Sequence, residues 1–436
     1  MSRPAAAAVL SLLGLAGFVL FYVMLVPPWG VVRPGPRVPL APVAAAENAW
    51  TEYSVALADL HREAAPRWLG EAAAHDLTPE VLAYLGRHVD ALAHLRTGAT
   101  RARFGYFEEP PTVVTPVPDL QALRHLAELA AAEARRLREA GDPAGALALE
   151  TAAYRYGTDL AQPDAGVLLP IVAAGCRRST AAALFTSLAA DAPAEALARA
   201  ARDVAAEDAR MPGAWQATSS EWRLVARTVE DGFLTSRDGP RSPAALRLRV
   251  YDSFLRQHGA VLEEARPLLE AWDFTGLQEL DERLPKQLAV RAAPWRNFWL
   301  IDNLAARMVN GVVAPLSRPA RLLYVDRANG AAFQVLAACR AYQISHGRLP
   351  EDPQVALAEA GIEWPLDPVT RRPAGYRLEA QGAVVWMAGF DGRDDGGREP
   401  YLDKVQAVIA PGTDLVYRIG EAPTPRPLAR AVAVRP

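Results

Sequence analysis

Lysine is almost missing from this chain: Lys286 and Lys404 are the only two, leaving 45 of the 47 basic residues as arginine. With 50 acidic residues the formal net charge is −3, so no excess of positive charge supports binding to a nucleic-acid polyanion. The arginine and alanine bias points to a GC-rich coding sequence rather than to phosphate recognition. Cysteine is equally scarce. Cys176 and Cys339 are the two present; each lies among apolar residues as a buried thiol would, and two cysteines in so long a chain make no disulfide framework. Whether they pair is open from the sequence.

The settings of common enzyme chemistry are also absent. None of the seven histidines (61, 75, 88, 94, 125, 258 and 346) forms H-E-x-x-H, and there is no G-x-S-x-G, P-loop or G-x-G-x-x-G. His88 and His94 lie about 240° apart on a helix at roughly 100° per residue, so one helix face does not offer both to a metal; they read as surface or interfacial. The acidic pairs Glu108-Glu109 and Glu263-Glu264 point in different directions on a helix and read as solvated. Trp295, Phe298 and Trp299 have the spacing of aromatic packing between helices.

What is present begins at the N-terminus. Ala5 to Val26 is 22 residues without a charge, about 33 Å as a helix, which matches a hydrocarbon core of about 30 Å. Arg3 and the amino terminus precede it, favouring an orientation with the N-terminus inside. A cleaved signal peptide has a shorter apolar region followed at once by a small-residue site; here the nearest such site, Val43-Ala44-Ala45-Ala46, lies far downstream, which argues for an uncleaved anchor over 1–26. Residues 27–43 contain prolines at 27, 28, 34, 36, 39 and 42 and form an extended spacer reaching up to about 50 Å from the membrane.

From about residue 44 to 317 apolar residues recur at i, i+3, i+4 and i+7, the signature of amphipathic helices. The pattern predicts helices over 45–64, 79–96, 119–140, 143–160, 167–189, 192–207, 216–233, 244–271, 297–312 and 318–346. Thr78-Pro79 and Asp142-Pro143 each set an N-cap before a proline at the first helical position. The proline-rich segment 99–118 is the one long break. Residues 126–157 have the helix, Gly-Asp, helix form of a tetratricopeptide hairpin, with Ala146 where paired helices approach; no second copy follows at that period, so packing in a helical bundle explains it. The expected fold class is therefore mainly α: a transmembrane helix, an α-helical bundle or hairpin array, and a small C-terminal α+β module.

That module, 318–420, is read as one long helix ending at Gly347 and Pro350, a turn-rich stretch over 366–373, strand-like runs over 375–380 and 382–390 separated by a tight turn at Gln381-Gly382, and two further runs over 404–410 and 414–419. A Pro-rich tail, 421–436, follows. The order Tyr342, His346-Gly347-Arg348-Leu349-Pro350, Leu366-Asp367-Pro368, Tyr376, the run to Gly389, and then Asp391-Gly392, Asp394-Asp395-Gly396-Gly397 and Asp403 resembles the C-terminal region of type II secretion major pseudopilins. The resemblance covers about a quarter of the chain. The whole chain resembles large helical, membrane-anchored bacterial proteins that carry such a tail. The resemblance implies a calcium loop after the strands and a link to secretion.

Read from the residues alone, Asp391, Asp394, Asp395 and Asp403, with carbonyls freed by the neighbouring glycines, supply oxygen ligands of the kind calcium takes. An EF-hand template fits in part: from Asp391, position 5 is Asp395 and position 6 Gly396, but position 3 is Arg393 and position 12 Leu402, where a bidentate glutamate belongs. A solvated acidic turn has the same composition. These features together predict a single-pass protein of the inner (cytoplasmic) membrane with its bulk outside the cytoplasm, a non-enzymatic scaffold or interaction protein with protein partners in the envelope and a calcium-stabilised C-terminal module. The alternative is an envelope hydrolase whose acid and base are dispersed over the helical domain.

Overall fold

The computed structural model describes residues 41–63, 65–66, 68–69, 77–107, 111–112, 115, 117–161, 166–231, 244–291, 305, 308–309, 315–380, 382–398 and 412–419. It is mainly helical with one small antiparallel sheet. The anchor region, most of the spacer, the aromatic trio Trp295, Phe298 and Trp299, Asp403, the run 404–410 and the tail lie outside the described residues, as does most of the helix expected over 297–312.

Among the described residues the helices are α1 (Ala49–Leu60), α2 (Pro79–Arg87), α3 (Val89–Ala99), α4 (Leu120–Glu139), α5 (Pro143–Leu160), α6 (Leu168–Ser187), α7 (Ala194–Arg210), α8 (Ala214–Glu230), α9 (Ala244–Ala271), α10 (Phe274–Arg291), α11 (Ser317–His346) and α12 (Pro353–Ala360). The strands are β1 (Gly375–Glu379), β2 (Gly382–Met387) and β3 (Leu415–Arg418). Local chemistry sets the starts: the side chains of Asn48, Thr78, Asp119, Asp142 and Asp352 each accept from a backbone N–H of the first turn, satisfying donors that a helix leaves orphaned. Glycines set two of the ends, Gly347 at φ 74° and Gly361 at φ 73°, where a side chain would be strained.

Three expectations need correction. The helix expected over 79–96 is two, because His88 leaves helical geometry (φ −109°, ψ 24°) while both its ring nitrogens bond carboxylates, Nδ1 to Asp59 at 2.8 Å and Nε2 to Glu63 at 2.9 Å. The expected 45–64 ends at Leu60. Two helices escaped the pattern: α10 contains Pro285, which weakens its periodic signal, and α12 has only eight residues. Segment 99–118, whose first residue Ala99 still belongs to α3, is otherwise non-helical where described, and is pinned to the start of α1 by an Asn48–Arg103 bridge and by mutual bonds between the Asn48 amide and the Gly105 backbone.

The sheet is an antiparallel meander in the order β1-β2-β3, with Gly375 opposite Trp386 and Val385 opposite Tyr417. Helix α11 runs between the sheet and the helical body, packing on α6, α7, α12 and β2. Its buried residues, from Ala320 to Ala341, share one continuous core with the buried residues of 49–309 and with the inner face of the sheet. Alanine dominates that core, which lets helix axes approach closely. Among the described residues one helix, α6, is long and apolar enough to cross a membrane; it is a core helix here, two-thirds enclosed by its neighbours and carrying Arg177 at its centre.

Candidate functional site

The expected metal residues occupy the turn after β2. Gly389 brings the chain against the backbone of Thr413 so closely that a side chain there would overlap the Thr413 carbonyl. From that point the carboxylates fold the loop on itself. Asp391 accepts from the backbone N–H groups of Arg393 (3.1 Å) and Gly412 (2.7 Å). Asp394 accepts from Gly396 N (2.9 Å) and from the indole N–H of Trp386 on β2 (2.8 Å). Asp414, fully buried just before β3, accepts from Asp395 N (3.0 Å) and Gly397 N (2.8 Å). Burial pushes the Asp414 carboxyl upward, the two amide bonds pull it back, and Asp394 and Asp395 add to the upward push.

The loop is thus closed by carboxylates bonded to backbone amides. Among the described residues no three histidine, cysteine, aspartate or glutamate side chains converge as a metal-holding group. The structure brings Asp391, Asp394 and Asp395 into one loop, with Asp403 outside the described residues. Asp395 Oδ2 is buried and accepts no hydrogen bond. Asp414 is the site residue that the sequence reading overlooked; an aspartate directly before a strand, in Thr413-Asp414-Leu415, was its only signal.

Several of the residues that carry the resemblance have a structural task. Asp367 accepts from Val369 N (2.7 Å) within its turn and from Ala388 N (2.6 Å) at the end of β2. Tyr376 donates its hydroxyl to the Pro350 carbonyl at 2.7 Å, tying β1 to the segment after α11. Tyr342 stacks on His346 with ring centroids 4.1 Å apart.

A second polar cluster, absent from the sequence reading, lies where α5, α6, α7 and α11 meet. Arg177 of α6 has no exposed surface. Its Nε donates to Asp326 of α11 at 3.1 Å, Nη1 to Thr158 at 2.8 Å, and Nη2 to both Asp208 of α7 and the Tyr154 hydroxyl. Tyr154 in turn donates to Asp208 at 2.8 Å, and its ring faces the guanidinium at 4.0 Å. Gln334 of α11 donates to the other Asp208 oxygen at 2.6 Å. Burial pushes Asp326 up to about 6, against the pull of Arg177. Burial pulls the Arg177 guanidinium down, but Asp326, Tyr154 and Asp208 together raise it overall. The Asp326 Oδ2 atom, 3.1 Å from the same Nε, accepts no hydrogen bond of its own.

Smaller ionic groups repeat the pattern. Asp159 accepts from Tyr53 (2.9 Å) and Arg210 (2.6 Å). The fully buried Glu150 is bonded by Arg138 and, at 2.8 Å, by Ser187. Cys176 and Cys339 are both free and buried, and burial pushes each thiol up to about 12, which keeps them protonated and unreactive. No protein-family model, curated protein or solved structure matches this chain.

Proposed function

We propose that this chain is a single-pass inner-membrane protein, held by a helix over residues 5–26, with residues 44 onward outside the cytoplasm. There it acts as a non-enzymatic scaffold for envelope proteins linked to secretion. The observation that carries the reading is the C-terminal arrangement: the 30-residue helix α11 lies along a three-stranded antiparallel meander whose second strand opens into an aspartate- and glycine-rich loop. This is the order in which the pseudopilin-like residues occur in the sequence. The enclosure of α11 by α6 and α7 supports a module presented by a large helical body rather than one on a free tether.

Calcium belongs to the same proposal. Asp391, Asp394, Asp395 and Asp403 are its proposed ligands, and the unpartnered Asp395 oxygen is the observation in its favour. The ion would relieve repulsion among crowded carboxylates and tie the loop to the sheet. At a hundredfold excess over Kd, binding to the native state alone stabilises by about 2.7 kcal/mol. The full chain in detergent is expected to melt at a higher temperature in millimolar calcium than in chelator, with a smaller response to magnesium. Asp395→Asn is expected to remove most of the difference; equal melting in calcium and chelator would refute the metal.

The scaffold itself is tested by crosslinking in intact cells, followed by purification of the full chain. Recovery of pilin-like secretion subunits is the expected result. Protease resistance of residues after Pro42 in spheroplasts would overturn the topology, and hydrolysis of an envelope polymer by the pure chain would favour the enzyme reading.

A further inference from the structure

Helix α2 is held lightly by apolar contact. Of its nine residues only Val81, Tyr84 and Leu85 are buried, and its packing is on α3 and α4. What joins its end to α1 is ionic. Arg87 donates from Nε to Glu63 Oε1 at 3.0 Å, and the buried ring of His88 lies between Asp59 of α1 and Glu63 just beyond it. The apolar stripe itself asks for no break at this point. Val81, Tyr84, Leu85, His88, Leu92 and Leu95 are all buried and keep helical spacing through it, so His88 fills a core position with a polar ring.

The geometry fixes where a proton sits. An ionised carboxylate only accepts hydrogen bonds, whereas a neutral imidazole has one N–H and one bare nitrogen. Nδ1 of His88 is 2.8 Å from Asp59 Oδ2 and Nε2 is 2.9 Å from Glu63 Oε1, so both contacts are bonds only when both nitrogens carry hydrogen. Both carboxylates are supported as anions. The Arg87 guanidinium, with His88 adding to it, holds the Glu63 carboxyl below its ordinary value against the opposing effect of burial, and Arg62 pairs with the other Asp59 oxygen at 2.9 Å. The Tyr84 ring faces His88 with centroids 4.6 Å apart; burial, with Glu63 adding to it, pushes its hydroxyl up to about 12, so it stays neutral. On α3, Asp90 is exposed. The charges of α4 pair elsewhere, Arg124 with Glu128 and Arg136 with Glu133 on α4 itself and Arg138 with Glu150 on α5.

We propose that His88 is a proton-operated clasp: as an imidazolium it ties the α2–α3 junction to the end of α1 from both sides, and on losing one proton it lets the short helix α2 open from the body. When an N–H is lost, a bare nitrogen faces a carboxylate oxygen in a buried position, and a bond becomes a repulsion. Arg87 keeps its bond to Glu63 in either state, so the opening is local and reversible. The clasp is closed in acid and released as the pH rises. The test follows amide exchange in the full chain in detergent from pH 5 to 9, expressed as protection factors and compared with those of α4. Across that range residues 79–88 are expected to lose protection about tenfold, the effect of one charge-assisted hydrogen bond, while α4 keeps its own. His88→Gln has no proton to lose and is expected to show the same protection of 79–88 at every pH; Glu150 titrates in both chains, so the difference between them isolates His88. Imidazole nitrogen resonances of the unchanged chain are expected to show both nitrogens of His88 carrying hydrogen at pH 6. A single N–H there, or equal pH responses in the two chains, overturns the clasp. If His88→Gln loses helical dichroism, Glu63→Gln takes its place: its amide donates to the bare nitrogen, so a reduced pH response supports the clasp and an unchanged one overturns it.

Discussion

The cluster around Arg177 and the loop around Asp414 are both built on aspartates, and they satisfy them by opposite means. At the helix junction the carboxylates face a guanidinium in full burial, supported by hydroxyls and an amide from other helices. At the sheet edge no cation among the described residues approaches Asp414; backbone N–H groups of its own loop do the work. The first arrangement joins segments far apart in the chain and fails as a unit. The second is local, so each of its bonds is lost separately and cheaply. A carboxylate count in the sequence does not distinguish the two, because the difference lies in which partner the fold delivers.

The sharpest way to break this contrast is to remove the cation. Arg177→Met removes the hydrogen-bonded counter-charge of the buried Asp326 and the half-buried Asp208, leaving Arg327 as the nearest remaining cation, and is expected to destabilise the protein by about 3–5 kcal/mol, the cost of breaking a buried pair from one side. Urea unfolding followed by circular dichroism checks it, and a loss under about 1 kcal/mol would mean that water reaches the cluster.

A pH series sharpens the contrast further. Burial pushes Glu150 up to about 7, against the pull of Arg138 and Ser187, from an ordinary value of 4.5. The folded state therefore holds this proton more tightly than the unfolded chain does. Stability that is present below about pH 4.5 is lost as the pH rises through about 7, by on the order of 3 kcal/mol. Denaturant midpoints of the chain with Glu150 are expected to fall over that interval, and Glu150→Gln is expected to flatten the slope; parallel slopes would show that Arg138 fully compensates the charge.

The smallest effect belongs to the loop. Asp414→Asn keeps one acceptor for the amides of Asp395 and Gly397 and removes a charge that Asp394 and Asp395 oppose, so a loss of only about 1 kcal/mol is expected. Amide exchange at Asp395 and Gly397 should accelerate while α6 and α11 remain protected. Slowed folding or exposure of α11 in this variant would show that the loop and the helix junction are one cooperative unit.

Much of the fold was legible. The 3.6-residue period located α5 and α9 to the residue, and the caps at Thr78 and Asp142 start α2 and α5 as their side chains require. The hairpin of β1 and β2 followed from two strand-like runs around Gly382. The break at His88 was not legible, because it depends on Asp59 and Glu63 arriving from another part of the chain. Nor was α10, which carries the internal Pro285 and packs Phe274 at its start against Tyr324 and Phe390.

The candidate sites divide in the same way. Asp391, Asp394 and Asp395 stand out in the sequence because aspartate and glycine crowd a short turn, and a turn is decided by neighbours. Arg177 and Asp326 each carry a faint signal, a charge inside an otherwise apolar helical run, yet nothing in the sequence pairs residues 149 positions apart. Composition, period and capping determined where most of the helices and the hairpin strands lie, since those depend largely on backbone bonds within a few residues. Which charges are buried together was decided only by tertiary packing: burying the Arg177 guanidinium is tolerable where helices from three other parts of the chain bring oxygen acceptors to it.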